Sequence, residues 1–173
     1  MRCDRNMSIF KTHLGWAGVA ATEQGISRVV LPKKEKATVL QELENEAAEV
    51  LSTPAAPLLV KAVKLLQRYF SGESVSFDVA LDLRYYTPFQ QAVWKAAAAV
   101  PSGETRSYAW IAKRIRNPKA ARAVGQALGA NPVPIFIPCH RVVSSTGTLG
   151  GFSGGLEMKK KLLELETHAK GNR

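Results

Sequence analysis

The sequence predicts a mixed α/β (α+β) protein of two lobes, residues 1–84 and residues 85–173. Two observations predict it. Residues 7–31 carry short apolar clusters broken by Gly15, Gly18 and Gly25, the pattern of a meander of hairpins. Beyond residue 84 the composition changes, and helix-start signals of the Thr-Pro, Ser and Asn-Pro kinds follow one another.

The elements follow in order. After the meander, residues 33–52 are charged and read as a surface helix. Past Pro54 and Pro57, Leu58, Leu59, Ala62, Leu65, Leu66 and Tyr69 recur at helical spacing, and SGES stops the helix. VSFDVALDL alternates as a strand should. TPFQQAVWKAAAAVPSGE opens a helix with Thr87 as N-cap and Pro88 as its first residue. SYAWIAKRI is a short helix capped by Ser107, and NPKAARAVGQALGAN is another, capped by Asn117 with Pro118 at its start. Two short helices joined by a tight turn resemble a helix-turn-helix. IFIPCHRVV is read as an extended segment, SSTGTLGGFSGG as a glycine-rich loop, and LEMKKKLLELETHA as the closing helix.

Composition narrows the function. Apolar residues make up 46% of the 173, enough for a proper core. No stretch approaches the eighteen or so apolar residues of a membrane span. The N-terminus lacks the pattern of a secretion signal, so the cytoplasm, or the nucleus of a eukaryote, is expected. A net charge of +10 suggests a polyanionic partner, with a merely soluble basic protein as the alternative. The two cysteines, Cys3 and Cys139, are not expected to pair in a reducing compartment. There is no CxxC and the three histidines are scattered, so no metal site is expected.

On the second helix of the pair, Val124, Leu128 and Ala121 form an inner stripe. Arg122, Gly129, Gln126, Gly125 and Lys119 fall on the opposite face. Two glycines there cost roughly 1 kcal/mol each relative to alanine. So bare a face suits something that must approach the backbone closely, such as the DNA minor groove, only about 6 Å wide. Packing of one helix on another is the alternative.

Cys139 is followed by His140 and Arg141. A thiolate is a strong nucleophile, but a thiol at neutral pH needs a base or a positive neighbour. Adjacent residues of a strand point to opposite faces, so a direct Cys139–His140 bond needs a bend or a bridging water. On the last helix Glu166 lies about 40° from Leu162, inside the apolar stripe, and so is expected to be buried with a partner. Lys159, on the same face, is one such partner. Cys139, His140 and Glu166 make a possible relay, with an inert buried cysteine as the alternative.

PCHRVV after NPVPIFI, with SYAWIAKRI, KAARAVGQALGANP and FSGG, resembles the O6-alkylguanine-DNA alkyltransferases, densely over residues 86–166 and faintly over residues 1–84. The resemblance implies a ribonuclease H-like N-terminal lobe and a winged helix-turn-helix C-terminal lobe. It implies single-turnover repair of double-stranded DNA containing alkylated guanine, by a monomer that needs no cofactor. Cys139 would take the alkyl group, His140 would deprotonate it through a water, and Glu166 would orient His140. Tyr108 would protonate the departing guanine and push the phosphate as the base flips. Arg122 would fill the gap in the duplex, with Ala121, Lys119, Gly125, Gln126 and Ser107 completing the minor-groove surface. Asn131 would be a hinge, the backbone of Val142 and the hydroxyl of Ser153 would read guanine, and Phe152, Gly154 and Pro134 would complete the pocket. O4-alkylthymine would be a minor substrate.

There are departures from the family's pattern. Some relatives have tyrosine at Phe152, and some bind zinc in the N-terminal lobe, where this chain has only Cys3. A branch without the reactive cysteine is excluded by Cys139. No metal-binding domain with its own acceptor cysteine precedes the lobe, so a transcriptional-activator role is not implied. Two rivals stand beside this reading, a winged-helix DNA-binding module without chemistry and a cysteine hydrolase.

Overall fold

The structure, a computed structural model, describes residues 6–45 and 56–171. The predicted helical residues 46–52 and Cys3 lie outside the described residues. The chain divides into two compact units, Met1–Leu83 and Arg84–Arg173.

In the first unit, β1 (Met7–Thr12), β2 (Gly15–Thr22) and β3 (Gly25–Lys33) form an antiparallel sheet in that order. The glycines that break the apolar clusters have separate uses. Gly15, at φ +129°, pairs with Thr12 directly after the two-residue turn of the first hairpin. Gly18 lies under α1 (Lys36–Asn45), and a Cβ there would come within 2.6 Å of Val39 and 2.7 Å of Leu43. Ala20, Val30, Val39 and Leu43 close one core against this helix. α2 (Ala56–Phe70) buries Leu59, Ala62, Leu66, Tyr69 and Phe70, as its spacing predicts.

The strand expected over residues 75–83 is not a strand. Its alternation is real, with Val75, Phe77 and Val79 half-buried between exposed neighbours. Pairing with the sheet is limited to Ile26 N–H to Ala80 O (2.8 Å) and Asp82 N–H to Ile26 O (2.9 Å). Phe77 instead packs on Tyr69 of α2, ring centroids 5.7 Å apart. The apolar face is buried by a helix, so the pattern of a strand survives without its ladder.

In the second unit, α3 (Pro88–Ala98) begins with a full capping box between Thr87 and Gln90. β4 (Arg106–Ser107) pairs in parallel with β5 (Val142–Val143). Ser107 caps α4 (Tyr108–Arg114) by accepting from the Trp110 N–H at 3.1 Å. α5 (Ala121–Gly129) begins later than expected. Arg116, at φ +58°, breaks the chain direction, and Asn117 to Ala120 close a turn of their own. Trp94 of α3 donates its indole N–H to Ala127 O at 2.8 Å, fixing α5 from below. α6 (Leu156–Gly171) ends the unit. Among the described residues, no helix is long and apolar enough to cross a membrane.

The close approach of α1 to β2 makes a test. Val39 and Leu43 are buried and cannot retreat freely, so Gly18→Ala overpacks the first unit by about 1–3 kcal/mol. Urea unfolding should show that loss; an unchanged midpoint would mean that α1 sits farther from the sheet.

Candidate functional site

The extended segment expected at IFIPCHRVV is a sequence of turns. Pro138 sits at φ −79°, ψ 61°, and the Cys139 N–H returns to Ile137 O at 2.8 Å. That is an inverse γ-turn, which the proline ring presets. Cys139–Arg141 then form one turn of 3-10 helix before β5. The bend needed to bring a histidine and a cysteine to one site is therefore built in. Just upstream, Ile135 is held at φ +79°, a strained conformation for a β-branched residue, with its side chain buried. This tight loop returns the chain to Asn131. The Asn131 amide donates to Ile137 O (2.9 Å) and to Cys139 Sγ (3.1 Å), and its oxygen accepts the Val133 N–H (3.0 Å). Asn131 thus links the end of α5 to Cys139.

Cys139 lies at the wall of an open cavity of about 600 Å³. α5 contributes Ala121, Arg122, Gly125, Gln126, Leu128 and Gly129. Tyr108 and the loop residues Gly151, Phe152 and Ser153 make the rest. A Cβ at Gly129 would meet nothing within 4 Å, and one at Gly125 would meet only the Tyr108 ring, at 3.6 Å. These glycines face the cavity, which answers the helix-packing alternative. Gly150, at φ +66°, passes so close to Tyr108 that a Cβ would stand 2.6 Å from its hydroxyl. The Tyr108 hydroxyl donates to Gly151 O at 3.4 Å.

Behind Cys139 is a buried charge cluster. Glu166 Oε1 lies 2.8 Å from His140 Nε2. Arg141 grips the same carboxylate with two bonds, Nε to Oε2 and Nη2 to Oε1, each 2.9 Å. The Gly103 N–H adds a fourth donor at 3.2 Å, and Arg141 Nη1 reaches Val100 O at 2.6 Å. Burial alone would raise the Glu166 pKa. The bonds from His140 and Arg141 outweigh it and hold the carboxyl well below its usual range. Glu166 is therefore an acceptor, and His140 Nε2 must carry the hydrogen between them. Burial lowers the His140 pKa against the pull of Glu166, so the ring is neutral at pH 7, with Nδ1 as its basic nitrogen. Burial likewise raises the thiol of Cys139; the Asn131 amide and the Lys159 charge oppose this.

Several expected positions are corrected. Lys159 is not the partner of Glu166; it bonds backbone carbonyls instead, with Nζ 2.6 Å from Val142 O. Lys119 is not on the outer face of α5, because the helix starts after it. Ala121, expected on the inner stripe, lines the cavity because it is the first helical residue. Pro134 and Val142 are not on the cavity wall. Pro134 is buried in the tight loop, bridged to Ile137, and Val142 is buried beneath Lys159. Gly154 is exposed beyond Ser153, and the Ser107 hydroxyl is engaged as a cap. Arg141 and Gly103 were missed. A basic residue beside His140 was visible, but nothing local connects it to residue 166.

Among the described residues, no three His, Cys, Asp or Glu side chains gather as a metal site.

Comparison with known proteins adds the following. Residues 88–168 match the family profile described as 6-O-methylguanine DNA methyltransferase, DNA binding domain, and residues 7–83 match its ribonuclease-like domain. The methylated-DNA–protein-cysteine methyltransferase of Methanosarcina acetivorans is 41% identical over 161 residues, 92% of this chain and 96% of that protein. The constitutive methylated-DNA–protein-cysteine methyltransferase of Bacillus subtilis is 40% identical over 157 residues, 90% of this chain and 92% of that protein. The crystal structure of Mycobacterium tuberculosis OGT in complex with DNA is similar with a TM-score of 0.77 and 39% identity, covering 94% of this chain and 93% of that one.

The charge cluster sets an acid limit on stability. A lowered carboxyl pKa stabilises the fold above the unfolded value, about 4.3, and that stability is lost as pH falls further. A lowered histidine pKa likewise stabilises the fold above about 6.5 and costs stability as pH falls through and below that value. Melting temperature should therefore drop between pH 7 and pH 4. Glu166→Gln should lose roughly 3 kcal/mol at pH 7, because Arg141 keeps a buried charge without its carboxylate, and should flatten the fall below pH 5. An equally steep fall in that variant would place the acid-sensitive group elsewhere.

Proposed function

The chain belongs to the 6-O-methylguanine DNA methyltransferase family, and on that premise we propose that it repairs DNA by moving a methyl or small alkyl group from guanine O6 to its own Cys139. The reading is carried by one observation: the only free thiol among the described residues stands at a cavity wall, backed by a buried His140–Glu166 pair. The damaged base turns out of the duplex into that cavity, since a stacked base hides its reacting atom. The bare face of α5 lets the duplex come close, and Arg122 at the cavity edge enters the vacated stack. Phe152 and Ser153 contact the flipped base.

His140 accepts the thiol proton through a bridging water, and Glu166 stabilises the imidazolium that forms. The thiolate attacks the alkyl carbon; the S–C bond forms as the C–O bond breaks, and the electron pair leaves with guanine. Tyr108 supplies the proton that guanine then needs. Burial raises its pKa, so it is a phenol, not a phenolate, at neutral pH. The product is a thioether. It has no easy hydrolytic exit, so each molecule reacts once. A chain acting on DNA and keeping a reduced thiol belongs in the cytoplasm, or in a nucleus.

Incubation with duplex DNA containing O6-methylguanine should add one methyl group per molecule, mapped to Cys139, and Cys139→Ala should add none. A label on Cys3, or activity in Cys139→Ala, would defeat the reading. Arg122→Ala should separate flipping from chemistry. It should slow duplex repair by roughly a hundredfold, equivalent to about 2.7 kcal/mol, and leave the reaction with free O6-benzylguanine nearly intact. Equal slowing of both would make Arg122 a support of the active-site fold.

A further inference from the structure

α5 carries only two side chains able to hydrogen-bond, Arg122 and Gln126; its other residues are alanine, glycine, valine and leucine. Both are exposed, and both line the cavity beside Cys139. Arg122 enters the stack that the flipped base vacates, and Gln126 has no duty in that account. Among the described residues its side-chain amide has no hydrogen-bond partner; only its backbone oxygen is used, by the Ala130 N–H at 3.1 Å. The helix around it is stripped of bulk. A Cβ at Gly129 would meet nothing within 4 Å, and one at Gly125 only the Tyr108 ring.

A long amide on so bare a face obstructs close approach unless it gains contacts there. Pressed against the floor of a groove it loses its water, and a desolvated amide is costly unless both of its ends are bonded. The minor groove meets that demand at one kind of base pair. Every pair presents acceptors there, so the amide N–H always finds one. Only a G·C pair adds a donor, the guanine N2 amine, for the amide oxygen. Against A·T the oxygen of Gln126 faces acceptors and stays unpaired. Arg122 is a donor only and makes no such distinction. Gln126 lies four residues from Arg122, about 6 Å along the helix, while each stacked pair rises about 3.4 Å. Its amide therefore reaches pairs one or two steps from the lesion.

We propose that Gln126 is a specificity-determining residue: it reads the guanine N2 amine of a flanking pair, so that alkylated guanine beside G·C pairs is repaired faster than the same lesion beside A·T pairs. The role rests on the alkyl-transfer reading of Cys139. It makes sequence context, and not the lesion alone, part of what this chain recognises.

Methyl transfer should be timed in single turnover, at one salt concentration, on duplexes with a central O6-methylguanine and two flanking pairs on each side. G·C flanks should react about fivefold faster than A·T flanks. Inosine·C lacks the amine and should fall to the A·T rate; 2,6-diaminopurine·T has it and should rise to the G·C rate. Strength of pairing alone predicts the reverse, since weaker flanks make a base easier to turn out. Gln126→Leu keeps the bulk and loses both polar ends, so the advantage of the amine should vanish in it. Equal rates in the unmutated chain, or a preference for the amine that survives in Gln126→Leu, overturns the proposal. Binding separates this from a failure of the chemistry. If no duplex methylates Cys139, the alkyl-transfer reading falls, and dissociation constants of the same duplexes decide the role of Gln126. A G·C complex about fivefold tighter in the unmutated chain, and no tighter in Gln126→Leu, sustains it; equal affinities in the unmutated chain overturn it.

Discussion

One buried carboxylate organises this site. Glu166 collects four donors, from His140, Arg141 twice and Gly103, so α6, the Cys139–Arg141 turn and the turn before β4 are tied to one side chain. A carboxylate so deep is costly unless every lone pair is used. Arg141 supplies the permanent positive charge that balances it. His140 is thereby freed from being the counter-ion and can remain a neutral base. The two basic neighbours of Cys139 thus have separate duties: one carries charge and the other carries a proton.

The turn itself decides which side chain faces which way. A regular strand would have sent Cys139 and His140 to opposite faces of one sheet. The inverse γ-turn at Pro138 and the 3-10 turn that follows put Cys139 at the cavity and aim His140 and Arg141 at α6. Strain at Ile135 belongs to the same device, since the short loop from Asn131 must close tightly for its amide to reach Sγ. The nucleophile, the end of α5 and α6 are thereby coupled within a few residues of chain.

Much of this was legible in the sequence where the signal was local. The Thr87 and Ser107 caps were visible because a cap is a contact within three residues. Glu166 stood out because helical periodicity placed it among leucines, and burial of a carboxylate implies a partner. Which partner was not legible: Lys159 shares its face, yet the glycine-rich loop folds over Lys159, while Arg141 arrives from a different element. The start of α5 was misplaced because Asn-Pro fits a helix start and a turn equally well; the left-handed Arg116 chose the turn. The false strand at residues 75–83 had the right alternation, and Tyr69 of α2 answered it in place of a ladder. In each case the missing information was a contact distant in sequence.

The central claim is that burial keeps His140 neutral against the pull of Glu166, while Glu166 fixes its proton on Nε2 and leaves Nδ1 as the basic nitrogen. Nitrogen-15 NMR of the imidazole in the resting protein at pH 7 tests it most directly. The account predicts a protonated Nε2, a pyridine-type Nδ1 and a ring that takes up its second proton only below the ordinary histidine range. A doubly protonated ring at pH 7, or a proton on Nδ1 with Nε2 bare, would contradict it.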